Sequence, residues 1–149
     1  MKLKNIYLDV CALSRLFDEQ EYLRIRIETE AVNLILSKVR AGAYKMLFSP
    51  VHIKEIEAIP DAIERIELRS LLDDAGTLIN PKSDETRTRA EELVASGFGV
   101  ADAAHIAFAE QEGASFITCD DRLIKKCKTF KINVWCGTPV AYCEREGLK

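Results

Sequence analysis

Three short apolar runs, each ending on a polar residue and each separated from the next by helical sequence, constrain this chain more than any other feature. Ile6-Tyr7-Leu8 ends at Asp9, Met46-Leu47-Phe48 leads into Ser49-Pro50, and residues 115–118 lead into Cys119-Asp120-Asp121. Between the first two lies a long helical pattern over residues 21–41. There Leu23, Ile27, Ala31, Leu34, Ile35 and Val39 recur at the 3–4 spacing of one buried face, and Gly42 stops the helix. Ser49 and Pro50 supply an N-cap and an N1 proline for a helix that carries Val51, Ile53, Ile56 and Ala58 as far as Pro60. Pro60-Asp61 opens another helix to about Asp74, with Ile63, Ile66, Leu68 and Leu71 inside. Leu78-Ile79 reads as a short extended piece, and Ser83 as the cap of a charged helix ending near Ala95. After the turn Gly97-Phe98-Gly99, residues 100–111 read as a buried helix. Its small residues Ala101, Ala103, Ala104, Ala107 and Ala109 allow close packing, and Gly113 ends it. A short helix over 122–127, a fourth strand over 132–135 and a terminal helix over 139–146 complete the chain. Strands separated by helices imply parallel pairing, so the expected fold is α/β: a three-layer α/β/α sandwich with a central parallel sheet.

The 149 residues fit a single domain, 1–149, which at this size buries roughly 68–70% of its unfolded surface without a staple. No apolar run reaches the ~20 residues of a membrane span, and the N-terminal apolar run is too short for a signal peptide. A cytoplasmic location with no membrane partner is therefore expected. The five cysteines (Cys11, Cys119, Cys127, Cys136, Cys143) are odd in number and form no CxxC pair, which speaks against a disulfide framework or a structural zinc. A formal charge of −3 neither advertises nor excludes nucleic-acid binding, because an acidic metal pocket offsets basic residues elsewhere.

Ligand sites of open parallel sheets lie beyond the carboxyl ends of the strands. Asp9 and Asp120 fall there from the strand assignments alone, although an Asp at such a place is also an ordinary helix N-cap. Asp102 stands near the start of an alanine-rich helix, where an unpaired carboxylate is expensive to bury and a first-turn acid is favoured by the helix dipole. Glu55 alone reads as a surface charge, much like its neighbour Glu57.

Together the four acids resemble the pattern of the PIN domain, a nuclease fold common among VapC-like toxins of toxin–antitoxin modules. The opening strand-then-Asp motif is present as residues 7–18, Tyr-Leu-Asp-Val-Cys-Ala-Leu-Ser-Arg-Leu-Phe-Asp. Glu55 follows Ser49 by six positions, Asp102 belongs to the A-D-A-x-x-x-A stretch 101–107, and Asp120 to the T-x-D-x-x-L stretch 118–123. The resemblance runs in order through about residues 5–145. At position 11 many members carry Asn or Ser, whereas this chain has Cys11. It is similar to a subgroup opening Asp-x-Cys then Asn-Arg-Pro-Phe-Asp, of which it keeps Arg15, Phe17 and Asp18 but has Ser14 and Leu16.

The resemblance implies a Mg²⁺- or Mn²⁺-dependent ribonuclease with an RNA substrate, a cognate antitoxin as protein partner and a homodimeric assembly. Hard divalent cations take oxygen ligands, so Asp9, Asp102 and Asp120 are expected to coordinate metal directly or through water. Glu55, the fourth catalytic acid, would position the attacking water or a second ion. The four should converge at one edge of the sheet. Arg15 and Arg122 would each hold a phosphate or pair with an acid. His105 reads as a satisfied helix histidine, Cys11 and Cys119 as small packed hydrophobes, Asp121 as solvated or a cap, and the lysine run 125–128 as a solvated face or part of an RNA track. A phosphatase of the haloacid-dehalogenase type would need a second Asp where Cys11 stands, and the order of acids fits a receiver domain poorly. The stronger alternative is a PIN-like binding module that is catalytically silent.

Overall fold

The computed structural model describes residues 3–149, with the side chain of Ser83 excepted. Its elements in chain order are β1 (Lys4–Leu8), α1 (Val10–Leu13), a 3₁₀ turn (Ser14–Leu16), α2 (Leu23–Arg40), β2 (Tyr44–Phe48), α3 (Pro50–Glu57) and α4 (Ala62–Ala75). β3 (Gly76–Leu78), α5 (Ser83–Ala95), α6 (Val100–Gln111), β4 (Ser115–Ile117), α7 (Asp121–Thr129), β5 (Cys136–Gly137) and α8 (Pro139–Glu146) follow. The strands form one parallel sheet in the order β3-β2-β1-β4-β5.

Alternation along the strands creates two cores. Ile6, Leu8, Met46, Phe48 and Ile117 face α2, α4 and α8, where Val32, Ile35, Leu36, Leu68, Leu72 and Tyr142 close one apolar cluster. Tyr7, Leu47 and Phe116 point the other way, against Leu93, Phe98, Ala103, Ile106 and Leu123 from the α5–α7 layer. The sheet is thus buried on both faces, and the expected α/β/α sandwich is the fold observed.

Chain direction locates the ligand crevice. From central β1 the chain moves to one side through β2 and β3, then crosses to the other side for β4 and β5. β1 and β4 are neighbours whose onward connections diverge, and such a switch point leaves a crevice beyond their carboxyl ends.

Several expectations need correction. The strand expected over 132–135 is β5 at Cys136–Gly137 instead. Ile132 and Val134 alternate like a strand and do pack into the second core, but the Asn133 N–H donates to the Glu110 carboxylate at 2.7 Å instead of to a strand. Pairing with the three-residue β4 begins only where Phe116 N–H meets the Trp135 carbonyl at 2.8 Å. On α2 the buried stripe starts late: Leu23 and Ile27 are exposed, while Glu28 is 3% exposed. On α4, Ile63 and Ile66 face outward, whereas Leu68 and Leu72 point inward to the first core. Ser83 is the first residue of α5, with Lys82 in the cap position and no side-chain cap bond.

Gly76 joins α4 to β3 where no side chain fits. A Cβ there would lie 2.8 Å from the Leu72 carbonyl oxygen and 2.8 Å from Phe48 Cδ1. Gly76→Ala should therefore cost about 1–3 kcal/mol, the usual penalty for overpacking a filled core. Denaturant unfolding measures it, and an unchanged midpoint would show that the α4–β3 corner can yield.

Candidate active site

Each acid is delivered by a different element to the carboxyl edge of the sheet. Asp9 ends β1 and is buried; its Oδ1 accepts the Ala12 N–H at 2.9 Å and so caps α1. Asp120 lies past β4, is exposed, and caps α7 by accepting from the N–H groups of Arg122 (3.0 Å) and Leu123 (3.2 Å). Both therefore cap helices. Buried Thr118 joins them: its hydroxyl oxygen accepts the Asp120 N–H at 3.1 Å, and its side chain bonds the Asp9 carboxylate. Asp102 stands in the first turn of α6 and is half-buried, as is Glu55 in the last turn of α3. Glu57 is exposed and lines a surface hollow between α3 and α4.

The charges of these groups act on one another. Burial pushes Asp9 up to about 6, against bonds from Thr118 and Ala12 that favour its ionised form, and the charge of Asp102 adds to the rise. Asp102 is likewise raised, first by burial and then by the charges of Asp120 and Glu55. A neighbouring negative charge disfavours ionisation of a carboxyl group, and a bound cation would relieve it. The donor set suits a hard one: oxygen atoms graded from Asp9 at the floor to Asp120 at the rim. Among the described residues no three acidic, His or Cys side chains close around one point.

Glu55 is held from below by a polar chain. Its Oε1 takes a hydrogen bond from His105 Nε2, and His105 Nδ1 lies 2.5 Å from the Tyr7 hydroxyl. That hydroxyl lies 2.8 Å from Ser49 Oγ, which accepts the Val51 N–H at 3.2 Å. His52 completes the floor. The Ser49 N–H donates to its Nδ1 at 3.1 Å, and its Nε2–H donates to the Leu8 carbonyl at 2.6 Å. Burial lowers His52 to about 3, so it is neutral at physiological pH. Among the described residues no buried side-chain polar atom lacks a partner.

A second anchoring set surrounds Asp120. Buried Glu28 accepts from Arg15 Nε at 2.9 Å and pairs with Arg24 at 3.5 Å. Arg24 clasps Asp121 with two bonds of 2.7 and 2.9 Å and reaches the Cys119 carbonyl at 3.3 Å. Arg15 also bonds Asp18 at 2.7 Å, so both its arms are committed to acids. The exposed Arg122 has no side-chain partner among the described residues, and Lys126 Nζ donates to the Gly97 carbonyl at 3.0 Å. Cys119 is buried as expected, but Cys11 is exposed, its thiol held up at about 11 by desolvation and the Asp9 charge. A thiol so held is neutral and a poor nucleophile.

Sequence reasoning placed His105 as a merely satisfied histidine and passed over Tyr7, Thr118, Arg24 and Glu28. One signal was available: a tyrosine inside an apolar strand run needs a partner for its hydroxyl, and His105 lies one helical turn from Asp102.

The fold has solved counterparts. VapBC-1 from nontypeable Haemophilus influenzae superposes with a TM-score of 0.62 at 12% identity, covering 91% of this chain and 98% of that one. FitAcB from Neisseria gonorrhoeae gives 0.55 at 14% identity with the same coverages. PAE2754 from Pyrobaculum aerophilum gives 0.54 at 17% identity, covering 97% of each chain. No curated protein sequence matches. Residues 6–128 match the PIN domain, a span that holds all four acids, the end of β1 and all of β2, β3 and β4, and the chain belongs to the PIN domain family.

Proposed function

We propose that this protein is a Mg²⁺- or Mn²⁺-dependent endoribonuclease that hydrolyses RNA phosphodiester bonds, acting as the toxin of a toxin–antitoxin module. The observation that supports this reading is the placement of Asp9, Glu55, Asp102 and Asp120 on separate elements around the switch-point edge of the sheet, with Asp9 raised by the charge of Asp102 and Asp102 by those of Asp120 and Glu55. Asp9, Asp102 and Asp120 are the residues to hold the ion. When bound, it neutralises charge on the scissile phosphate and makes water a stronger acid. Glu55 Oε1 is occupied by His105, whereas Oε2 has no partner among the described residues. Oε2 is therefore the atom that orients the attacking water and accepts its proton. Arg122, exposed and unpaired two residues beyond Asp120, is the cation available to an RNA phosphate.

The cytoplasm suits this activity, since five free cysteines fit a reducing compartment and no described helix is long and apolar enough to cross a membrane. An antitoxin that blocks the site should present a basic side chain to the acids. Homodimerisation, implied by family resemblance, is checked by light scattering at micromolar concentration; a monomer there removes it. Phe130 is an exposed aromatic side chain available to such a contact.

The test of the whole reading is RNA cleavage with Mg²⁺ or Mn²⁺, its loss on chelation, and its loss in Asp102→Asn. Full metal-dependent cutting by Asp102→Asn refutes the mechanism. A folded wild-type protein that binds RNA or protein but cuts nothing across a broad RNA panel favours the silent binding module.

A further inference from the structure

The chain of side chains beneath Glu55 is built from groups that have no other outlet. Tyr7 and Ser49 are fully buried and His105 is 2% exposed, so each polar atom must find its partner inside the protein. Donor and acceptor roles can be followed from one end. Ser49 Oγ accepts the Val51 N–H, which leaves its own O–H for Tyr7 Oη. The Tyr7 O–H then donates to His105 Nδ1, and that nitrogen, as acceptor, places the imidazole proton on Nε2, facing Glu55 Oε1. The ring cannot readily turn. His52 packs edge-on against it at 4.9 Å between centroids, and Tyr7 lies at 5.5 Å.

Such a chain could either carry a proton or hold a carboxylate still. It ends on a peptide N–H, that of Val51, which neither takes up nor passes on a proton, so the first role has no exit. We propose that His105 is a positioning residue: with Tyr7 fixing its orientation, it holds the Glu55 carboxylate in one pose at the rim of the acid site. The contact links α6 to α3, so the same helix that supplies Asp102 also sets the aim of Glu55. A tie of this kind to a site carboxylate is worth about 10–100-fold in activity. The consequence for catalysis rests on the nuclease reading; the positioning itself does not.

The experiment is a double-mutant cycle with a spectroscopic arm, on the whole chain. Glu55→Gln and His105→Ala should each lower kcat for RNA about 10–100-fold with little change in KM, and the double variant should be no worse than Glu55→Gln alone. His105→Gln, which returns an N–H near the position of Nε2–H, should recover about tenfold over His105→Ala; it also replaces the alanine in the cycle if that variant does not fold. In ¹⁵N-labelled protein a His105 ring N–H signal protected from solvent exchange should be present and should shift in Glu55→Gln. Effects that multiply in the double variant, or a His105 ring signal indifferent to Glu55→Gln, overturn the proposal. If the wild-type protein cuts no RNA, the nuclease reading fails by itself, and the ring signal alone then decides the positioning.

Discussion

Asp9→Asn is expected to weaken metal-dependent cleavage severely while making the metal-free protein more stable. The native carboxylate sits at the floor of the site, where burial raises it from 3.8 to about 6. At pH 7 it is ionised in the folded protein against a cost of about 3 kcal/mol, by the free-energy value of a pKa shift. Asparagine keeps an oxygen for the Ala12 N–H and is as good a helix cap as aspartate, so α1 loses nothing. Its amide can also face the Thr118 hydroxyl. Removing the charge should therefore raise the melting temperature by roughly 6–12 °C for a domain of this length. Cleavage should fall by about two to three orders of magnitude, as happens when a group that stabilises developing charge is removed. Thermal melts in chelator and single-turnover cleavage in Mn²⁺ measure the two halves. A variant that melts well below the native protein would show that the Asp9 charge supports the fold and that the trade between stability and activity does not exist here.

The pH dependence of that gain in stability, and of metal binding, is the second large effect. Asp9 has a folded pKa above its unfolded one. Its contribution to stability is fully present below about 3.8 and is lost as pH rises through about 6. His52 has the opposite sign: lowered from 6.5 to about 3, it contributes stability above 6.5 and loses it as pH falls towards 3. Between pH 6 and 4 the two trends oppose each other in the native protein, whereas Asp9→Asn retains only the loss at His52. The advantage of Asp9→Asn should thus be largest above pH 6 and vanish near pH 4. Metal reverses the ranking. An ion at a hundred times its dissociation constant adds about 2.7 kcal/mol to the folded state. That should raise the native melting temperature at pH 7, do so much less at pH 5 where Asp9 holds a proton, and leave Asp9→Asn nearly unmoved. Equal metal-induced shifts at pH 5 and pH 7 would place the ion away from Asp9.

The architecture was legible because strand-ending residues and helix stops are local features. Ser49-Pro50, Gly42 and the alanine stretch 101–109 announce themselves in the sequence, and Asp9 and Asp120 follow once the strands are placed. The misplacement of β5 shows the limit of alternation. Ile132 and Val134 face a core without being in the sheet, because a carboxylate from α6 takes the backbone N–H between them. Periodicity failed in the same way on α2, where burial at Glu28 depends on Arg15 and Arg24 closing over it. The support beneath Glu55 was invisible for a related reason. Residues 7, 49 and 105 meet only through the sheet and the layer above it, and no spacing within one helix or strand encodes that meeting.

The strand order also carries a kinetic consequence. β1 is made first yet ends in the middle of the sheet, and its β4 side stays unpaired until residues 115–117 exist and dock. Until that insertion the edge is a template open to the wrong partner, and Asp120 is absent from the crevice it will help to line. Contacts between residues so far apart in sequence form late, after the loop between them has closed at an entropic cost. A partly made chain that ends before residue 115 therefore holds Asp9, Glu55 and Asp102 without Asp120, and the crevice between β1 and β4 forms only once β4 has inserted.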